Sequence, residues 1–169
     1  RMQVNKLKGT IPRQVAALPN LIEFNIFENR ITGTLPYFAS TQLEILNLGH
    51  NDLHGSIPNK FIASKNKLQQ LRMPQNRLAG FIPDTLMALK RLDTLDLSSN
   101  ILHGTLSSSI GNLLLLQHLM LNNNFLVGSI PHQLALSSPI NGKMGDLLEI
   151  IHLQDNQLSG TVPLQLEYL

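Results

Sequence analysis

Residues 116–131 read LQHLMLNNNFLVGSIP, and this stretch decides the fold. Its skeleton, L-x-x-L-x-L-x-x-N-x-L-x-G-x-I-P, recurs from end to end of the chain. A glycine follows each repeated asparagine by four residues, and a proline, or Ser107 in one unit, follows that glycine by three. Successive asparagines are 24, 22, 25, 24, 24 and 32 residues apart. A repeat of roughly 20 to 50 residues is typical of a solenoid.

The repeated positions each have a physical reason. Alternation in the L-x-L pair predicts a short strand with one buried face, and stacked coils would pair these strands into a parallel sheet at about 4.8 Å per coil. We expect the asparagine amide to turn inward and bond backbone groups of neighbouring coils, because buried backbone groups need partners. The glycine predicts a positive φ or the close approach of the next coil. The asparagines of this structural ladder are Asn29, Asn51, Asn76, Asn100, Asn124 and Asn156, and Asn5 precedes them.

The G-x-I-P extension resembles the plant-type leucine-rich repeat found in the ectodomains of receptor-like kinases and receptor-like proteins and in polygalacturonase-inhibiting proteins. The likeness covers essentially all 169 residues. It implies an α/β-type solenoid, a right-handed superhelix with a parallel β-sheet on the concave face and short helical or irregular turns on the convex face. It also implies that each G-[ST]-[ILV]-P segment forms a short second strand. Phe81 departs from the Ser/Thr position of that pattern.

We expect a single solenoid domain of about seven repeats over residues 1–169. Both ends would expose core surface, where solenoids carry capping units. The chain has no cysteine, whereas the resemblance implies cysteine pairs in terminal caps, and it has no N-x-[ST] sequon. These features predict a fragment that lacks both caps and whose open ends are covered by further chain or by a partner subunit.

The longest unit carries its extra residues within 136–146, LSSPINGKMGD. Pro139, the Asn141-Gly142 pair and Gly145 are turn formers, so we predict an insertion loop that bulges from the convex or lateral side. Added loop length costs little free energy, which favours a tolerated surface insertion. A contact loop for a partner is the alternative.

Composition and missing motifs exclude several functional classes. The net charge of +2 gives no reason to expect nucleic-acid or anionic-membrane binding. No apolar run reaches the roughly 18 residues that a membrane span needs. The sequence contains no Gly-rich phosphate loop, kinase signature or nucleophile elbow. We therefore predict a protein that is not an enzyme and needs no cofactor.

The outward positions of the predicted strands face the concave surface, where the resemblance implies ligand binding. The candidate ligand-binding residues there are Phe27, Asn47, His50, Arg72, Asp96, His118, Met120 and His152. Arg72 and Asp96 occupy the same position in adjacent coils, which predicts an exposed ion pair that contributes about 0 to 1 kcal/mol. His118 and His152 lie on adjacent coils, but zinc needs three or four ligands and no third is evident, so we predict no metal site.

These observations predict a recognition module whose concave surface binds a protein, a peptide or a polysaccharide. The alternative is a structural subunit embedded in a larger multiprotein assembly, which uncapped ends and missing sequons would suit. Two further options are an inhibitor of a secreted wall-degrading enzyme and an ice-binding surface on the Ser/Thr column that Phe81 interrupts. The resemblance favours an extracellular or membrane-associated ectodomain.

Overall fold

The computed structural model describes residues 1–63, 65–136, 148–164 and 166. Its strands alternate along the chain between two sheets. In chain order they are β1 (Lys8–Thr10), β2 (Glu23–Asn25), β3 (Arg30–Gly33), β4 (Ile45–Asn47), β5 (Asp52–Ser56), β6 (Gln70–Arg72), β7 (Arg77–Gly80), β8 (Thr94–Asp96), β9 (Ile101–Thr105), β10 (His118–Met120), β11 (Phe125–Gly128), β12 (Ile150–His152) and β13 (Gln157–Leu158). Even-numbered strands form a six-stranded sheet on the concave face, and odd-numbered strands form a seven-stranded sheet beside it. Every strand pairing is parallel, which confirms the predicted solenoid.

The concave sheet brings the same position of successive repeats into register. Leu46, Leu71, Leu95 and Leu119 are partners across β4, β6, β8 and β10, and all four are completely buried. Burial of each leucine side chain stabilises the fold by about 1.5 to 3 kcal/mol. A slip by one residue would turn this whole column to solvent, so the burial pattern fixes the register.

The second sheet lies earlier in each unit than the resemblance implied. Its strands begin directly after the ladder asparagine or close to it, as β5 does at Asp52, and all but β13 end at the glycine or the Ser/Thr that follows. The apolar-proline pair lies outside the strands, because proline has no N–H to donate to a sheet. The glycines of these strand ends all have positive φ, from 79° to 91°, as predicted.

A second backbone feature was not predicted. The residue before each ladder asparagine is left-handed, with φ between 51° and 56°. These residues are Val4, Glu28, His50, Gln75, Ser99, Asn123 and Asp155. Residues other than glycine seldom adopt this conformation, and Asn, Asp and His do so most readily. The chain leaves each concave strand through this left-handed residue, and the asparagine side chain is thereby aimed into the coil.

The convex side is helical in some coils and irregular in others. It carries the helix α1 (Arg13–Ala16) and three 3₁₀ turns at Asp84–Ala88, Ser108–Asn112 and His132–Leu136. The two coils between α1 and the first 3₁₀ turn form no helix there in their described residues, and an isolated bridge between Phe38 and Ile62 joins them. The rings of Phe38 and Phe61 pack edge to face below this bridge, with centroids 5.7 Å apart.

One prediction concerns the long unit between β11 and β12. The insertion loop predicted at 136–146 lies, beyond Leu136, outside the described residues. On the convex side, Leu18 is 48% exposed. Among the described residues, no helix combines the length and the apolar character needed to cross a bilayer.

Candidate binding surface

The ladder asparagines hydrogen-bond the backbone next to the concave strands on the inner side of the sheet. Asn100 is buried: its Oδ1 accepts from Leu78 N–H at 3.0 Å, and its Nδ2 donates to Met73 O at 2.9 Å and to Leu97 O at 3.1 Å. The donor and acceptor of one amide thus join its own turn to the preceding coil. The same pattern recurs at Asn29, Asn51, Asn76, Asn124 and Asn156. The concave strands are therefore fixed relative to one another.

Five of the predicted site residues form one continuous column on this sheet. Strand register places Asn47 beside Arg72, Arg72 beside Asp96, Asp96 beside Met120 and Met120 beside His152. The first four are half-buried, and His152 is exposed. Because residues two apart point to the same side of a strand, these side chains share the outer face.

The predicted ion pair between Arg72 and Asp96 is wrong. The Asp96 Oδ1 atom accepts instead from Ser98, from the backbone N–H at 3.0 Å and from the hydroxyl at 2.7 Å. A short Asp or Asn side chain readily bonds the backbone two residues on, and this local bond competes with the cross-strand pair. Asn25 and Asn47 make the same turn, to Phe27 N–H at 3.1 Å and Gly49 N–H at 3.2 Å.

Within the described part of the chain, Arg72 is consequently left without a polar partner. Its Nε atom is buried and has no hydrogen bond, and Arg72 takes part in none of the ion pairs among the described residues. The ion pairs among the described residues therefore leave the charge of the Arg72 guanidinium unneutralised. A donor of this kind in the middle of a sheet surface is suited to bind an acceptor from another molecule.

An aromatic contact lies beside this column. The Phe27 and His50 rings are tilted, with centroids 4.7 Å apart. Gly49 is buried between the neighbouring coils, and a Cβ there would lie 2.8 Å from Pro74 Cδ and 3.3 Å from Phe27 Cδ2. The glycine thus allows Phe27 and Pro74 to approach across one coil. Gly49 was not singled out from the sequence.

His118 occupies the neighbouring column and faces an acid that sequence reasoning missed. Its Nε2 lies 3.5 Å from Glu149 Oε2 on the adjacent coil. A second missed pair joins Arg1 Nε to Glu23 Oε1 at 2.7 Å. Within the part of the chain that the structure describes, no three His, Cys, Asp or Glu side chains converge in a way that could hold a metal ion.

Comparison with known proteins identifies the fold family. The sequence profile of the Leucine Rich Repeat family matches residues 42–63, 91–113, 115–136 and 147–169, more than half of the chain. The chain belongs to the leucine-rich repeat family. It is 33% identical over 162 residues to Receptor-like protein 35 of Arabidopsis thaliana, a match that covers 94% of this chain. It spans only 16% of that relative's length.

Solved leucine-rich repeat structures extend the likeness. The ectodomain of the Arabidopsis receptor kinase HAESA, in complex with an IDA peptide hormone that is extended at its N-terminus, has a TM-score of 0.91 and 34% identity, and the match covers 100% of this chain and 27% of that one. The PEPR1–AtPEP1 structure has a TM-score of 0.84 and 32% identity, with coverage of 96% and 22%. A plant ice-binding protein has a TM-score of 0.75 and 31% identity, with coverage of 96% and 49%.

Proposed function

We propose that this chain is a recognition module whose concave surface binds an extended peptide. The observation that carries the proposal is Arg72, a mid-sheet guanidinium whose Nε is buried without a partner. An unpartnered buried donor costs about 1 to 3 kcal/mol, so it calls for a specific explanation, and a bound ligand that pairs with the rest of the guanidinium is one. Arg72 is half-buried and only its Nε is sealed from solvent, so the outer nitrogens of its guanidinium would donate to a carboxylate or carbonyl of a bound peptide, the acceptor that Asp96 does not supply.

The neighbouring groups suit the rest of a peptide. Asn47 uses its Oδ1 for its own turn, which leaves its amide N–H₂ facing the ligand side of the sheet. The Phe27 and His50 rings offer an amphipathic contact one coil away. The HAESA structure and the PEPR1–AtPEP1 structure, both similar in fold to this chain, favour a peptide over a polysaccharide as the class of ligand.

The test is selection of short random peptides on the 169-residue chain, followed by affinity measurement on variants. Enriched peptides should bind Arg72→Ala at least about tenfold more weakly, since a charge-assisted hydrogen bond contributes about 1.5 to 3 kcal/mol. The matched control is Arg77→Ala, because Arg77 is an exposed arginine on the other sheet and pairs with Asp52 at 3.0 Å. Both variants should keep the wild-type melting temperature.

Two results would reject this site. One is the absence of any peptide that binds above the library background. The other is a set of peptides that bind Arg72→Ala and Arg77→Ala equally well, which would place recognition away from the concave column.

Ice binding is a second candidate because a plant ice-binding protein shares the fold. The exposed Ser/Thr residues of this column are Thr10, Thr34, Ser56, Thr105, Ser129 and Thr161, of which Thr34, Ser129 and Thr161 lie just beyond the ends of their odd-numbered strands. Phe81 stands in the middle of this column and is 66% exposed. A protruding ring disrupts a flat array, so we rank ice binding below peptide binding; inhibition of ice recrystallisation by the wild-type chain would reverse that order. No comparable observation favours the structural subunit.

A further inference from the structure

A groove on the convex side has no role in the proposed concave site. It has a volume of about 950 Å³ and lies between the third coil of the chain, which contains Asn51, and the fourth, which contains Asn76. Its floor contains the aliphatic side chains of Ile62, Ala63 and Leu89. Tyr37, which is 52% exposed, lies at one end.

The groove arises where the convex side changes its local structure. From Asp84–Ala88 onward the coils carry 3₁₀ turns that pack on one another. The described residues of the third coil form no helix in this position, so the stack of turns ends at the fourth coil. The groove occupies that junction, with the irregular segment of the third coil as one wall and the first 3₁₀ turn as the other.

The wall on the third coil is held in place. Asn66 Nδ2 donates to Ala63 O, and Asn66 Oδ1 accepts from Leu68 N–H at 2.9 Å. Lys65 has a φ of 83°, a conformation that side-chain-bearing residues adopt at a cost of about 1 to 3 kcal/mol. Such outliers persist where the surroundings enforce them, and this one places a lysine at the lip of the groove.

The charge of the groove is one-sided. Lys60, Lys65, Lys90 and Arg91 line it, and no acidic residue does. The ion pairs among the described residues involve none of these four cations. The nearest acids in the sequence, Asp84 and Asp93, line neighbouring hollows instead. Since the net charge of the whole chain is only +2, the groove is a local concentration of positive charge.

We propose that this convex groove binds an acidic peptide segment that places one apolar side chain on the floor. The cations at the rim attract negatively charged side chains. An aliphatic or aromatic residue that packs on Ile62, Ala63 and Leu89 gains free energy from the burial of its apolar surface. A free phosphate would leave the floor unused. A long polyanion that binds through charge alone would gain nothing from the floor either. The site lies on the opposite face from the concave column, so a negative result for one site leaves the proposal for the other unaffected.

The test uses two labelled peptides and fluorescence anisotropy at low and physiological ionic strength. One peptide is a run of glutamates interrupted by a single leucine, and the other is the same run with glutamate in place of that leucine. The leucine peptide should bind the 169-residue chain, and the all-glutamate peptide should bind about fivefold to tenfold more weakly, because one buried leucine is lost.

Charge-matched variants locate the binding. The triple variant Lys60→Gln, Lys90→Gln and Arg91→Gln should weaken binding of the leucine peptide about tenfold, as three partly screened charge contacts are removed. The control removes the same charge from exposed residues near the other sheet, through Lys6→Gln, Lys8→Gln and Arg30→Gln. This control should stay within about twofold of the wild type.

Several outcomes would overturn the proposal. Equal loss in both triple variants would mean non-specific attraction to a basic protein. Equal binding of the two peptides would remove the role of the floor. Binding of polygalacturonate or of anionic vesicles that depends on the groove cations, without binding of the leucine peptide, would assign the groove to a polysaccharide or a lipid surface.

Discussion

The ladder predicts a large and position-dependent loss of stability on removal of one amide. In Asn100→Ala, Leu78 N–H loses the acceptor that lies 3.0 Å away. The carbonyls of Leu97 and Ser98 keep other donors, from Asn124 at 3.0 Å and from Gln75 at 3.0 Å. An orphaned buried N–H costs about 1 to 3 kcal/mol, and the small void adds about 1 kcal/mol. We expect a total destabilisation of about 3 kcal/mol.

The matched control is Asn29→Ala near the start of the chain. Asn29 makes the same contacts, at 3.0 Å from Leu7 N–H and at 2.9 Å to Met2 O. Leu7 and Met2 are 40% and 43% exposed, so water can replace the lost bonds. We expect a cost of only about 0.5 to 1 kcal/mol, the net value of a solvated hydrogen bond.

Urea unfolding and amide exchange together measure the difference. With an m-value of about 2 kcal/mol per molar urea, the midpoint should fall by about 1.5 M in Asn100→Ala and by less than about 0.5 M in Asn29→Ala. Because solenoids can open locally, exchange should accelerate more at Leu78 than at Leu102, whose N–H is held by Asn124. Equal losses at the two asparagines, or equal acceleration at the two amides, would refute the reasoning.

Two further predictions use paired positions. Gly104 and Gly9 have nearly the same φ, 88° and 91°, but a Cβ at Gly104 would collide with the Phe81 ring whereas one at Gly9 would meet nothing within 4 Å. Gly104→Ala should therefore lower the free energy of unfolding by about 1 kcal/mol more than Gly9→Ala. In a double-mutant cycle, Phe81→Ala should abolish this excess, and an excess that persists would contradict the clash. The Ser40 hydroxyl, on a residue that is 1% exposed, has a single hydrogen to donate and lies 2.8 Å from Leu21 O and 2.9 Å from Pro19 O. Ser40→Ala should therefore cost about 1 to 3 kcal/mol, and Thr41→Ala, at an exposed position, less than about 0.5 kcal/mol in the same urea titration.

The sequence was informative about the fold wherever a physical requirement repeats in every coil. Leu71 and Leu95 must be buried, and Gly55 and Gly80 must take positive φ, so these positions stand out by period alone. The left-handed residues before the asparagines did not stand out, because Val4, Gln75 and Ser99 share no side-chain chemistry. Their conformation follows from how the coils stack and not from their own preference.

The concave surface was predictable as a column but not as a set of contacts. Alternation along each strand was enough to place Asn47, Arg72 and Asp96 on one face. It could not decide whether Asp96 would bond Arg72 on the next coil or Ser98 in its own turn, because the two options differ by little free energy. The convex groove was not foreseen, since it depends on two neighbouring coils having different convex backbones.

The six concave strands present their outward side chains at a fixed interval, and that interval does not match the repeat of an extended chain. Neighbouring strands are about 4.8 Å apart, whereas side chains on one face of an extended peptide recur about every 6.7 Å. The two periods coincide only after about seven coils, or about 34 Å. A ligand lying across β2 to β12 therefore cannot meet every coil in an equivalent way. Its affinity must come from a few well-separated anchors, and a shift of the ligand by one coil would break all of them at once.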